Sequence, residues 1–213
     1  MIYDKEYAKK LARQLLEINA VVLRPDNPFT WSSGWKSPIY CDNRLTLRYP
    51  EIRDGIAQKF SSLITEKLNG VEVITATATA GIPHAAWIAE KLEKPMAYVR
   101  SKAKSYGMGN QIEGGVDKNQ STLVIEDLVS TGSSAISVVE VLNFIGADVK
   151  AVLSIFTYDF NKSRKKFEDK EVPLYTLTDY NTLIEVAIKE EFVEPNQLNF
   201  LNSWREDPEQ WPN

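Results

Sequence analysis

From Val71 onward the chain alternates between two periods. Val71–Thr77, Pro95–Arg100, Thr122–Ile125, Val149–Phe156 and Val172–Leu177 are short runs rich in β-branched residues. Pro83–Leu92, Ser133–Ile145 and Thr182–Lys189 space their apolar residues as helices do. Strands that alternate with helices specify an α/β fold, a mostly parallel twisted sheet flanked by helices. Upstream, Tyr7, Ala8, Leu11, Leu15 and Ile18 predict a helix over 5–18, and Pro50 begins a second whose apolar face runs to Leu68 before Gly70 stops it. Between them, Arg24–Asn43 is polar, aromatic and proline-rich, with no period. The tail from Pro195 to Asn213 holds three prolines and two tryptophans and is expected to be irregular. A length of 213 residues fits a single domain over 1–213: an N-terminal extension of about 1–45, a core of about 50–190 and a tail of 195–213.

Composition removes several function classes. The chain is 43% hydrophobic and 25% charged, too apolar for disorder, and has no run of the ~20 apolar residues that span a bilayer. Met1–Glu6 has no basic region leading into an apolar one, so no signal peptide is expected and the expected compartment is the cytoplasm. With one cysteine (Cys41) and one histidine (His84), an internal disulfide, a four-ligand Cys/His zinc site and an HExxH metalloprotease are excluded. The formal charge of −4 argues against bulk attraction to nucleic acid. No Gly-Lys dipeptide occurs, which excludes a Walker A loop, and Gly107-x-Gly109 lacks the third glycine and the helix of a dinucleotide fingerprint.

The segment Thr122–Ala135 carries the most chemistry. A buried-type strand runs into two acids, Glu126 and Asp127, followed by Leu128-Val129-Ser130-Thr131-Gly132-Ser133-Ser134 and an amphipathic helix. A glycine lets the backbone approach a ligand, and the helix start offers unpaired N–H groups of positive partial charge. With the hydroxyls of Ser130, Thr131, Ser133 and Ser134, such a turn can cradle a phosphate. Acids beside a phosphate repel it, so Glu126 and Asp127 make sense facing the hydroxyls of a sugar. A plain helix cap with solvated acids is the alternative at this point. Downstream of a strand, Arg100, Lys102 and Lys104 give three cations with no acid until Glu113, and four of the ten glycines lie between Gly107 and Gly115. This is the composition of a mobile lid over an anion or, alternatively, of an exposed lysine-rich hairpin.

The strand, paired acids and Ser-Thr-Gly-Ser-Ser turn resemble the phosphoribosyl-diphosphate motif of the type I phosphoribosyltransferase family. Three further segments resemble its orotate-using bacterial branch: Phe29–Arg44, Thr75–His84 and Val99–Gly114. The resemblance implies the family fold with an N-terminal hood and a mobile lid. It also implies magnesium-dependent transfer of ribose 5-phosphate from phosphoribosyl diphosphate (PRPP) to orotate, giving orotidine 5′-monophosphate in pyrimidine (UMP) synthesis, with Mg2+ carried mainly by the diphosphate and no resident metal site. Arg100, Lys104 and Asp127 are the implied catalytic residues; Tyr106 and the 126–134 segment join them in binding PRPP. A homodimer whose lids reach across into the neighbouring site is implied as well. Four positions depart from relatives: Ser32 and Ala80 stand where some have lysine, Tyr106 where the lid usually has histidine, and Tyr158 near an arginine used for orotate. For the orotate carboxylate the candidates are therefore Lys36 and Arg44, with Ser130 facing the base. The alternatives are another nucleobase phosphoribosyltransferase or a non-catalytic PRPP-binding regulator on the same fold.

Overall fold

A computed structural model describes residues 1–31, 34–101, 111–209 and 211. The chain opens with α1 (Lys5–Glu17), capped by Asp4, whose carboxylate accepts from the amides of Glu6 and Tyr7. The aperiodic stretch that follows forms two small antiparallel ribbons, β1 (Val21–Leu23) with β4 (Ile39–Cys41) and β2 (Phe29–Thr30) with β3 (Lys36–Ser37). A 3-10 turn over Asn43–Arg48 leads into α2 (Pro50–Lys67).

The alternating region builds the body of the molecule. In chain order it comprises β5 (Val73–Thr77), α3 (Gly81–Leu92), β6 (Met96–Val99), β7 (Ile112–Glu113), β8 (Ser121–Val129), α4 (Ser133–Phe144) and β9 (Asp148–Thr157). Then come α5 (Asn161–Asp169), β10 (Leu174–Asp179), α6 (Tyr180–Lys189) and, in the tail, α7 (Leu198–Glu206). Six strands form one sheet in the order β10-β9-β8-β5-β6-β7, parallel throughout except for the β6–β7 pair. Central strands are apolar on both faces because helices cover both: all five residues of β5 are buried.

Besides the short strands β2, β3, β4 and β7, which no period announces, three elements differ from the sequence expectation. Strand β8 does not stop at Ile125 but continues through both acids to Val129, because β9 keeps pairing with it as far as the register Val129↔Thr157. The tail is not irregular: Glu194 and Gln197 close a capping box, and α7 then buries Leu201 and Trp204. Helix α5 was unforeseen, since only Ser163 and Phe167 of its nine residues are buried.

His84 lies in the first turn of α3, fully buried, edge-on to Trp87 with ring centroids 5.7 Å apart. Burial holds its imidazole down at about 4, neutral at physiological pH. This is a packed position, as its place at a helix start suggests.

Candidate active site

The parallel sheet sets the position of the site. β5 and β8 are adjacent, and the turns leaving their carboxyl ends open on the same edge, where ligands of open α/β sheets bind. The two turns approach closely. A Cβ on Gly81 would stand 2.3 Å from the Ile125 carbonyl oxygen, so only glycine lets the β5–α3 turn lie against β8.

Glu126 and Asp127 occupy consecutive positions of β8, and their side chains share a hydrogen bond. Glu126 is 5% exposed, and burial first, with the neighbouring Asp127 charge second, pushes its carboxyl up to about 9. The Asp127 amide donates to Glu126 Oε1 at 3.1 Å. Asp127 is half-buried, and its own carboxyl is also raised, chiefly by burial. Two adjacent acids in low dielectric resist joint ionisation, so the pair holds one negative charge more readily than two. The extension is tied to this point: the buried Asn43 donates from Nδ2 to the Asp127 carbonyl at 2.7 Å.

Beyond Val129 the chain turns at Gly132, whose φ of +77° suits glycine, into the start of α4. Thr131 Oγ1 and Ser133 Oγ lie 3.2 Å apart at the turn, and Lys166 of α5 donates from Nζ to Ser133 Oγ at 2.5 Å. Leu128, Ser130, Thr131 and Ser133 line one side of a cavity of about 730 Å³. It is lined as well by Thr30, Trp31, Trp35, Tyr40, Cys41 and Tyr158, and by Lys162 and Lys166. Trp31 and Trp35 stack at 6.2 Å with an interplanar angle of 23°, and the Trp31 ring lies 5.3 Å from that of Tyr158. Behind them, Tyr158 stacks on Phe160 and meets the edge of Trp204, whose Nε1 donates to the Lys36 carbonyl at 3.0 Å. An apolar aromatic slot opening onto hydroxyls and acids suits a flat heterocycle joined to a phosphorylated sugar. A groove of equal volume between residues 23–27 and 188–197 shows no such convergence.

The structure brings together Glu126, Asp127, Leu128, Ser130, Thr131, Gly132 and Ser133. Val129 is turned away: its side chain is buried and its carbonyl accepts from the Tyr158 amide and the Thr157 hydroxyl. Ser134 sits exposed on the first turn of α4. Arg100 stands at the foot of the cationic segment, ion-paired to Glu113 at 3.2 Å, and its amide and carbonyl bond to Gln111 across the segment's base. Lys104 and Tyr106 lie outside the described residues, as does Ser32. Lys36 donates from Nζ to the hydroxyl of Thr30, a cavity residue, at 3.0 Å. Arg44 is mostly exposed and grips Asp42 with both Nε and Nη2, at 2.6 and 2.8 Å, beside the cavity rather than in its wall.

Four aromatic walls and two lysines carried no assigned role in the sequence reading. Trp31, Trp35 and Tyr40 lie in the segment Phe29–Arg44, which has no period, and nothing local says which way they face. Lys162 and Lys166 sit in a polar run, Asn161–Asp169, whose docking depends on a glycine thirty residues upstream.

The sequence pattern of the phosphoribosyl transferase domain family matches residues 45–191, more than half of the chain. An orotate phosphoribosyltransferase of Bacillus pumilus is 55% identical over 204 residues, covering 95% of this chain and 96% of the relative. That of Listeria innocua is 52% identical over 203 residues, covering 95% and 97%. The crystal structure of orotate phosphoribosyltransferase from Aeropyrum pernix superposes with a TM-score of 0.74 at 27% identity, covering 86% of this chain and 99% of that one. With an acid pair and hydroxyl turn at the sheet edge and relatives matched along nearly their whole length, the chain belongs to the orotate phosphoribosyltransferases of the phosphoribosyltransferase family.

Proposed function

We propose that the 126–134 turn holds the ribose 5-phosphate of PRPP and that the aromatic cavity beside it holds orotate, so that the transfer to orotidine 5′-monophosphate takes place where the two meet. The observation that carries this is the single cavity shared by Ser130, Thr131 and Ser133 with Trp31, Trp35 and Tyr158. In the reaction the bond from ribose C1 to diphosphate breaks ahead of attack by the ring nitrogen, which leaves positive character on the ribose. Asp127, at the end of β8, accepts from ribose hydroxyls and offsets that charge. Negative charge grows on the leaving diphosphate, so a cation there binds the transition state more strongly than the ground state. Arg100, exchanging Glu113 for the diphosphate, and Lys104 are assigned that role, and Tyr106 is assigned to the lid over PRPP. No protein nucleophile takes part.

The donor set fits a magnesium ion that arrives on the substrate. Of the acids at the turn, burial pushes Glu126 up to about 9, so it offers a cation no charge near neutrality. When bound, Mg2+ would supply positive charge against the leaving diphosphate. A cytoplasmic setting belongs to the same proposal. Among the described residues, no helix is long and apolar enough to cross a membrane.

The test is the absorbance of orotate consumed with PRPP and Mg2+. Orotate should disappear and uracil and adenine should not; consumption of another base in place of orotate overturns the reading. For the orotate carboxylate, Lys36 is favoured by its bond to a wall residue, whereas Arg44 must first release Asp42. Lys36→Ala should raise the orotate KM by about tenfold, the scale of one charge-assisted hydrogen bond. Arg44→Ala should have a smaller effect, and the PRPP requirement should hold in both. Unchanged orotate kinetics in both variants would leave the carboxylate to backbone donors alone.

The shared lid is proposed on the cationic segment that begins at Arg100. A chain carrying Arg100→Ala and Lys104→Ala, mixed with an Asp127→Asn chain, should regain activity as subunits exchange, because each mixed dimer rebuilds one complete site. Subunit exchange without regained activity would show that each lid serves its own site.

A further inference from the structure

Helix α5 lies directly over the phosphate turn. A Cβ on Gly132 would meet Phe167 Cε2 at 3.1 Å and Ser163 Cβ at 3.5 Å, and both of these α5 residues are buried. Seated in this way, the helix presents Lys162 and Lys166, one turn apart, to the cavity. Its cations are mostly committed to acids: Lys162 pairs with Glu209, Arg164 with Asp159 and Lys170, at the helix end, with Glu140. Lys166 differs. Among the described residues it has no carboxylate partner and donates instead to the hydroxyl of Ser133, which is itself 3.2 Å from the Thr131 hydroxyl.

We propose that Lys166 is a binding residue for the 5-phosphate of PRPP and of the nucleotide product, supplying from α5 the full positive charge that the turn lacks. This rests on the reading that the turn holds ribose 5-phosphate. The turn itself offers only hydroxyls and amide dipoles, and the Glu126–Asp127 pair three residues upstream sets a negative field against a dianion. An ammonium group has three donors, so Lys166 can keep Ser133 oriented while also binding a phosphate oxygen. The same α5 packing that requires glycine at position 132 thus sets a cation beside the bound phosphate. Because Lys166 is fixed to the scaffold rather than to the cationic segment after Arg100, it acts on product as well as on substrate.

The experiment is calorimetric titration of the full-length protein with orotidine 5′-monophosphate and with its dephosphorylated form, orotidine. Lys166→Met should weaken the nucleotide by about tenfold or more and leave orotidine unchanged, the size expected for one charge-assisted contact. The dependence of nucleotide affinity on salt should become shallower in the variant, and Lys166→Arg should restore most of the loss. If nucleotide affinity in Lys166→Met stays within about twofold of the parent, or if both ligands weaken together, Lys166 is a brace of the turn and the assignment is overturned. A parent protein that consumes orotate while Lys166→Met binds nucleotide normally rejects this assignment alone. A parent that neither consumes orotate nor prefers the nucleotide to orotidine rejects the underlying reading, and this one with it.

Discussion

Asp127→Asn is expected to lower kcat/KM for PRPP by roughly a hundredfold with the fold intact, the effect of losing about two hydrogen bonds from ribose hydroxyls to a charged acceptor. The side chain is half-buried at the end of β8, and its backbone is held independently by Asn43, so the substitution removes charge without removing support. Glu126 answers differently. Its carboxyl is fully buried and titrates near 9 instead of near 4.5, so between those values the folded chain keeps a proton that the unfolded chain has lost. Stability from this group is therefore complete below about 4.5 and declines as pH rises toward 9. Glu126→Gln, which carries the neutral form at every pH, should melt with a weaker decline between pH 6 and pH 9 than the parent. Thermal melts across that range check the sign. Parallel curves for parent and variant would show that Glu126 is ionised in the fold. Full activity in Asp127→Asn would remove the sugar from this end of the sheet.

The second large effect is structural in origin. Gly81→Ala places a methyl group 2.3 Å from the Ile125 carbonyl oxygen and 3.2 Å from its carbon, both backbone atoms of the central strand β8. No side-chain rotation relieves such a clash. Either α3 moves away from the sheet or β8 shifts, and overpacking of this kind costs about 3 kcal/mol. For a chain of this size that lowers the melting temperature by roughly 6–12 °C. PRPP affinity should fall as well, because the turns from β5 and β8 form one edge only while they touch. A melt within about 2 °C of the parent would show that the helix start is free to move.

Much of this architecture was legible along the chain because its forces are local in sequence. A run such as Val73–Thr77 followed by Gly81–Leu92 states its own periods, and five such strands admit few arrangements other than a covered parallel sheet. The acid pair, glycine and hydroxyls of 126–134 are contiguous, so their meeting needed no tertiary information beyond a strand that ends and a helix that begins. The length of β8 did need it: the acids extend the strand only because β9 continues beside them.

What tertiary structure alone decided are the groups brought to the site from elsewhere in the chain. Trp31 meets Tyr158 and Trp204 across more than a hundred residues, and its ribbon, too short to be stable alone, exists because those rings receive it. Lys166 reaches Ser133 because Phe167 and Ser163 pack on the space left by Gly132, a complementarity of shape that no pattern of apolar residues records. Arg44, by contrast, looked available in the sequence and is committed to Asp42 in the fold, since a carboxylate two residues away captures its guanidinium first. Periodicity and contiguous chemistry are written into a chain because they act between near neighbours. The walls and charges of a pocket depend on distant side chains filling one another's space, and that is settled only when the chain has packed.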